Sequence, residues 1–340
     1  MTDELTVRSK QVLKLVIEEY IVTAKPVGSG VLREKYRLPV SPATLRNEMA
    51  ELERRGYLTH LHTSGGRVPS ESGYRLFVES LMGRGGISPA DMRRVEHQFH
   101  QVEGDMELDR WAELAASVLA QLARNAALVT TPRGAVVELR RIHLIHLNEG
   151  TALAVAVMDD GSARQAVCIL PYAASQEELG SVATALNAAL AGLTVVNMAE
   201  RLSSLHGPAA DIAPQVVGML GRDGSRSAVS QSGLLAMLHQ PEFQVGDTAR
   251  RVVELLEGGS LLAGLAERVA AEPGVHVIIG SENGLVEMSD CTVVTAAYTS
   301  QNGGYGLLTV VGPTRMHYER TISSVFYVSQ LLSRMLHAND

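Results

Sequence analysis

The sequence predicts an α+β fold in several domains, and three observations carry that prediction. The first 84 residues read as three helices, a short hairpin and a fourth helix. Further on, strand signals stop, yield to helices, and then resume, as when a helical segment is inserted into an α/β domain. A chain of 340 residues is also too long for one ordinary core.

The first helix is expected over about residues 6–23, with Thr6 or Ser9 as the cap. Val12, Val16 and Tyr20 recur at helical spacing, and Leu13 and Ile17 widen that stripe. Lys25-Pro26-Val27-Gly28-Ser29 breaks the helix, and a second runs from about Ser29 to Tyr36. Leu38-Pro39-Val40 is the turn. The third helix starts at Ser41, a serine N-cap with Pro42 at the first helical position. It ends at Gly56, which suits the left-handed residue after a helix. Tyr57 to Leu61 alternates as a strand does, Thr63-Ser64-Gly65-Gly66 turns, and Arg67-Val68 begins the return strand. A helix carrying Tyr74, Phe77, Val78 and Leu81 follows. Three helices and a two-stranded wing make a winged helix-turn-helix over residues 1–84.

Met82-Gly83-Arg84-Gly85-Gly86 is the first domain joint. Residues 88–128 read as helical, with Trp111, Leu114, Val118 and Leu122 on one side. Strands are expected at Val136–Leu147, Ala152–Met158 and Ala163–Leu170, with hairpin turns at Asn148-Glu149-Gly150 and Asp159-Asp160-Gly161. A helix is expected at about 175–191 and a mostly helical stretch at 193–257. Strands return at Val275–Ile279, Cys291–Tyr298 and Gly306–Val311, and a last helix covers about 315–337.

Composition sets the outer bounds. Hydrophobic residues at 46% and charged residues at 20% describe a globular chain. No run is long and apolar enough to span a bilayer, and Met1-Thr2-Asp3-Glu4 lacks a signal-peptide layout, so a cytoplasmic protein without membrane contact is expected. Two cysteines, Cys168 and Cys291, fit a reducing compartment. The net charge of −7 argues against a nucleic-acid partner, but the distribution argues for one. Residues 1–84 hold 13 Lys and Arg against 10 Asp and Glu, whereas the remainder holds 17 against 27. Local charge is what phosphates sense within a Debye length.

The third helix carries the functional reading. On a helical wheel Leu45, Met49 and Leu52 cluster and must face the core. The opposite side holds Ala43, Asn47, Ala50 and Arg54, flanked by Thr44 and Arg46. This face is small or polar near its start, so it can enter a major groove. Asn suits adenine, Arg suits guanine, and Ala or a Thr methyl suits thymine. Base readers sit at the start of a recognition helix. Ser29 and Ser41 can offer hydroxyl and backbone N–H groups to phosphates, and Arg67 at the wing tip can reach phosphate or minor groove. Arg54-Arg55 reads as a solvated helix end.

Other signals are weaker. Gly280-Ser281-Glu282-Asn283-Gly284 and Asn302-Gly303-Gly304-Tyr305-Gly306 fit hairpin turns and no nucleotide fingerprint. The 11 histidines form no metal-ligand motif; His143 and His146 read as strand-surface residues. Gly28-Ser29-Gly30 is too short for a nucleophile elbow. The Leu114 and Val118 stripe reads as core or subunit contact. No enzyme, metal or cofactor is expected.

These residues also resemble the heat-inducible transcription repressor family HrcA. The matching words are Tyr20 to Ser29, Ser41 to Glu53, His62-Thr63-Ser64-Gly65-Gly66-Arg67-Val68-Pro69 and Gly73-Tyr74-Arg75. Downstream, Leu238 to Phe243, Ile279 to Gly284 and Val311 to Tyr318 match in order. The chain departs at Gly65, where the family usually has Ala, and at Ser281, where it usually has Glu. The resemblance implies a homodimeric repressor of chaperone operons bound to an inverted-repeat operator in double-stranded DNA. It implies a GAF-like domain, here placed at 87–192 and 258–340, with a dimerising domain inserted at 193–257. It also implies that the GroE chaperonin supports repressor activity. DNA contacts are expected from Ser29, Ser41, Ala43, Thr44, Arg46, Asn47, Thr63, Ser64 and Arg67. The alternative expectation is a small-molecule-sensing regulator that uses the GAF-like domain. Direct heat sensing by a marginally stable domain is a third.

Overall fold

The computed structural model describes residues 5–60, 66–83, 85–101, 108–132, 138–159, 163–194, 197–198, 201–202, 205–223, 229–244, 248–258, 261–262, 265, 269, 274–300 and 304–338. The chain is α+β and forms two compact units. One comprises Met1–Thr131, Val229–Tyr298 and Gly306–Asp340; the other comprises Pro132–Ala228 and Thr299–Tyr305.

The first unit opens with α1 (Val7–Thr23), α2 (Ser29–Tyr36) and α3 (Pro42–Arg54). Thr6, not Ser9, caps α1, accepting the Ser9 N–H at 3.1 Å. The helix ends in a left-handed Ala24 whose N–H returns to the Tyr20 carbonyl. Val12, Leu13, Val16 and Ile17 are buried, as their spacing required. Buried Glu19 is held by Lys35 and by the Tyr36 hydroxyl, which ties α1 to α2. Burial and Glu19 together push the Tyr36 phenol up to about 12, so it stays a donor.

Strands β1 (Leu58–Thr59) and β2 (Val68–Pro69) pair antiparallel as Leu58↔Pro69 and Thr59↔Val68. A further bridge joins Val27 to Arg67, with both N–H···O bonds made at 2.8 and 2.9 Å. Gly66 is needed beside this bridge, since a Cβ there would lie 2.6 Å from the Val27 carbonyl carbon. Ser70 caps α4 (Glu71–Leu76), which runs into a π-helical turn at Phe77–Leu81.

The same unit contains a five-stranded sheet. Its order is β7 (Val229–Ser232), β3 (Ala126–Thr130), β10 (Tyr305–Pro313), β9 (Cys291–Thr299) and β8 (Val275–Ile279). Helices α5 (Pro89–His100), α6 (Leu108–Ala123) and α11 (Tyr318–Ala338) belong to the same hydrophobic core as the winged helix and this sheet. Leu114 and Val118 are part of it. Helices α9 (Leu234–Leu238) and α10 (Thr248–Gly258) follow β7.

Two strands depart from expectation. Residues 126–128, read as the end of a helical stretch, lie in β3, because left-handed Arg124 ends α6 and the run Ala126–Thr130 is wholly buried between β7 and β10. Strand β7 falls within the stretch read as mostly helical. Its four residues carry Ser-Gln-Ser and too little apolar character to announce a strand.

The second unit holds β4 (Leu139–Asn148), β5 (Thr151–Met158) and β6 (Ala163–Ile169) as an antiparallel sheet in chain order. Helices α7 (Gln176–Leu190), with a Ser175–Glu178 capping box, and α8 (Pro208–Asp223) cover one face. Side-chain amides engage the backbone of both edge strands. Asn187 bonds Ile142 N and O at 2.7 and 2.8 Å, and Gln176 bonds His146 N and Leu144 O. Gln215 bonds Ile169 N and O, both at 2.9 Å. Unpaired edges invite strand addition, and these amides occupy them.

This unit differs from the insert expected at 193–257. The excursion from the five-stranded sheet begins after Thr131 and ends before Val229. It therefore takes in the three strands assigned from sequence to the GAF-like domain, while the described residues of 193–257 are mostly helical as expected, apart from β7. Alternation along a strand specifies one buried face and says nothing about which sheet the strand joins.

The winged helix and five-stranded sheet are fastened at two places. Glu71 accepts the Ser281 N–H at 2.9 Å and its hydroxyl, while Arg75 reaches Glu282 at 2.9 Å and the Val277 carbonyl at 2.8 Å. Gly280 has φ +53°, and a Cβ there would lie 2.1 Å from the Glu71 carboxylate. Its turn is a short 3₁₀ segment, Gly280–Asn283, after β8. Arg315 donates to Glu242 and, at 3.0 Å, to the Ile21 carbonyl of α1. Gly280→Ala combines a left-handed backbone with a steric clash. It is expected to lower stability by about 1–3 kcal/mol, read as a lower urea midpoint with unchanged slope; an unchanged midpoint contradicts this account of the joint.

Candidate nucleic-acid interface

The start of α3 is set by the Ser41 hydroxyl, which accepts the Thr44 N–H at 3.1 Å, with Pro42 in the first turn. A cap of this kind contributes about 1 kcal/mol. Leu45, Met49 and Leu52 are buried to 1% exposure or less, so the helix has one possible rotation. Ala43, Arg46, Asn47, Ala50 and Arg54 are then exposed, with Thr44 half-buried beside them. The Ser41 and Thr44 hydroxyls also bond each other at 2.9 Å. One O–H of that pair remains free to donate outward.

Ser29 is half-buried at the first position of α2. Its cap position is Gly28, which supplies no side-chain acceptor, so the first-turn N–H groups of α2 are left for an external anion. Thr63 and Ser64 of the wing lie outside the described residues.

Arg67 stands elsewhere than the sequence suggested. It occupies the base of the wing, in the bridge to Val27, and its Nε donates to Glu53 at 2.8 Å. Sequence reasoning missed Glu53 as the residue that positions the wing. Glu53 and Arg67 are 14 residues apart and belong to different elements, so no local pattern pairs them.

The acids of α3 are all engaged by neighbours. Glu48 accepts from the Ser9 hydroxyl at 2.8 Å, with Arg8 at 3.8 Å. Glu51 is paired with Arg55 at 2.5 Å and with Arg54. Glu53 is paired with Arg67 and His60. The hydrogen bond from Arg55, chiefly, holds the Glu51 carboxyl below its ordinary value. Burial raises Glu53, but hydrogen bonds from His60 and Arg67 outweigh it and leave this carboxyl low as well. Arg46, by contrast, has no carboxylate partner among the described residues. The exposed face therefore presents a cation, an amide and small side chains while its own helix's carboxylates are compensated, which lowers repulsion of an approaching polyanion.

The described residues contain no cluster of three or more possible metal ligands, and no helix is long and apolar enough to cross a membrane. His143 and His146 are exposed on β4.

Comparison with known proteins shows the family. Residues 109–322 match the model of the HrcA protein C-terminal domain. The heat-inducible transcription repressor HrcA of Roseiflexus castenholzii is 43% identical over 348 residues, covering 99% of this chain and 96% of that protein. The chain belongs to the HrcA family. The HrcA of Chloroflexus aggregans is 41% identical over 99% of the chain and 94% of the relative, and that of Dehalococcoides mccartyi is 33% identical over 98% and 96%. A crystal structure described as a hypothetical protein at 2.2 Å resolution shares the fold, with TM-score 0.63 and 22% identity over 99% of this chain and all of that one. These HrcA relatives run nearly end to end with the chain, so the winged helix is covered as well as the C-terminal region.

The pH response of the wing base follows from Glu53. Its carboxyl lies below the unperturbed 4.5 in the folded state, so the pairing contributes fully above that value. The contribution is lost as pH falls through the folded value. Glu53→Gln is expected to lower the thermal midpoint at neutral pH and to flatten its decline between about pH 5 and pH 3. A wild-type slope retained in the variant would rule out this carboxylate as the source.

Proposed function

We propose that the chain is a DNA-binding transcriptional repressor of heat-inducible operons, acting as a homodimer on an inverted-repeat operator. The exposed face of α3, small and polar at its start and cleared of unpaired acids, is the observation that carries this reading. Arg46 and Asn47 are the base readers, and Ala43 and Thr44 offer apolar contact to thymine methyls. Ser41 and Ser29, with the first-turn amides of α2, receive phosphates. Thr63 and Ser64 contribute from the wing, and Arg67 acts by holding the wing in place. The names of the HrcA relatives support the repressor class. The cytoplasm is the compartment such a protein works in.

One winged helix offers a modest interface, whereas two related by a two-fold axis read a palindrome over a larger one. The surface that supports dimerisation lies on the second unit. The sheet face opposite α7 and α8 exposes Ile145 (45%), Leu147 (49%), Val167 (58%) and Ile169 (70%). Ile145, Leu153 and Val167 stand in one cross-strand row. With the sheet edges taken by amides, a second copy adds through this face rather than by strand pairing. Residues 132–228 are thus the dimerising part, and the five-stranded sheet with its helices is the GAF-like part. Dependence on the GroE chaperonin rests on family membership alone.

Asn47→Ala is expected to weaken binding to an inverted-repeat operator by about 1–3 kcal/mol while leaving non-specific DNA affinity nearly unchanged. Equal losses on both in a competition binding assay would remove Asn47 as a base reader. Val167→Lys with Ile169→Lys is expected to convert the dimer to monomer in sedimentation velocity and to weaken operator binding with it. A wild-type chain that is monomeric yet binds operator tightly would contradict the dimer.

A further inference from the structure

Three cavities in the first unit differ in charge. One of about 830 Å³ lies along α1 and the α2–α3 turn, where Arg8 and Glu48 offset each other among apolar residues. One of about 410 Å³ is lined by Glu18, Asp91 and Glu319 as well as Arg320, so its acids disfavour an anion. The third, about 720 Å³, has no carboxylate among the described residues of its lining. It is bounded by the end of α6, the β7–α9 turn and the β10–α11 turn, and Arg124, Arg315, His317 and Arg320 converge on it.

The cations there are not equivalent. Arg315 is already committed to Glu242, the Ile21 carbonyl and Gln240. Arg124 and Arg320 have no carboxylate partner among the described residues, and Arg320 also borders the 410 Å³ cavity without an ion pair there. Desolvation, then Arg315, Arg320 and Arg124, hold His317 below its ordinary value. At neutral pH its ring is therefore uncharged, able both to donate and to accept.

The floor is built rather than incidental. Buried Asn125 accepts from Gln240 at 2.8 Å and donates to the Ala123 carbonyl at 3.0 Å. Gly233, with φ +77°, lies against it, and a Cβ there would sit 2.4 Å from the Asn125 carbonyl oxygen and 2.6 Å from the Ala120 methyl. A side chain at position 233 is excluded, so the cavity stays open over this floor.

We infer that this cavity is a binding site for a small phosphorylated molecule, with Arg124 and Arg320 as the phosphate-binding forks and the Ser117 hydroxyl and Gln121 amide as neutral partners. Guanidinium forks match phosphoryl oxygens in geometry and charge, and among the described residues no carboxylate is ion-paired with Arg124 or Arg320, although Asp91 and Glu319 line the neighbouring cavity that Arg320 also borders. The volume of about 720 Å³ falls in the range of small-molecule ligand sites. A concave wall of this size suits a compact anion better than the convex backbone of duplex DNA. The site is separate from the α3 face and does not depend on the repressor reading.

Calorimetric titration of the full chain with ADP and with pyrophosphate at constant ionic strength tests this. The expected result is saturable binding of one anion per chain, weakened roughly tenfold by Arg124→Gln and by Arg320→Gln and retained in Arg46→Gln. Gln121→Glu, which places a carboxylate on the same wall, is expected to weaken binding too and serves if an arginine variant fails to fold. Absence of saturable binding by both probes would overturn the proposal. So would binding untouched by all three pocket variants, or binding lost only in Arg46→Gln, which would move the anion to the DNA face. Loss of operator affinity in Arg124→Gln and Arg320→Gln without any small-anion binding would make these residues DNA contacts and equally overturn it.

Discussion

Leu45, Met49 and Leu52 hold α3 against α1 and α2 with almost no exposure, and that burial fixes how the helix is rotated about its axis. Each such side chain contributes about 1.5–3 kcal/mol by leaving water. An exposed ion pair on the same helix contributes about 0–1 kcal/mol. The core therefore sets the rotation and the charges adapt to it. Glu48, Glu51 and Glu53 find partners on α1, on the helix end and on the wing, and Ala43, Arg46 and Asn47 are left outward. What reads a groove is decided by what fills the core behind it.

The recognition helix is also fixed to a larger body. Glu71 and Arg75 hold the Gly280–Asn283 turn, and Arg315 holds α1 and Glu242. Three downstream stretches that resemble the family fall at these fastenings: Leu238 to Phe243, Ile279 to Gly284 and Val311 to Tyr318. Their spacing in the chain hides a shared purpose that the fold exposes, namely setting the winged helix on the five-stranded sheet. Arg315 lines the cationic cavity and touches α1 as well, so the two surfaces share a wall.

Local order was the readable part of the sequence. The Ser41-Pro42 start of α3, the buried stripe of α1, the strands β4 to β6 with the turn at Asn148–Gly150, and the capped α7 all follow from patterns a few residues long; the turn expected at Asp159-Asp160-Gly161 lies partly outside the described residues. Non-local order was not readable. Strand β3 is a short, wholly buried run, apolar but for Thr130, that resembles the helix before it, and β7 is too polar and too short to declare itself. The edges of the second unit depend on which sheet a strand joins, which alternation does not encode. The outward set of α3 was legible because helical periodicity alone divides core from surface. The position of Arg67 was not, because it depends on Glu53 and Val27 in other elements.

Directed DNA cleavage from α3 tests the central claim most directly. Cys168 and Cys291 are both buried, so Ala50→Cys, on the same exposed side of α3 but outside the base-reading set, adds the one exposed thiol among the described residues, to which an iron chelate can be tethered. On a bound inverted repeat, the account predicts strand cuts confined to two positions related by the dyad, one within each half-site. Binding that persists without cleavage above background, or cuts scattered without two-fold symmetry, would contradict it.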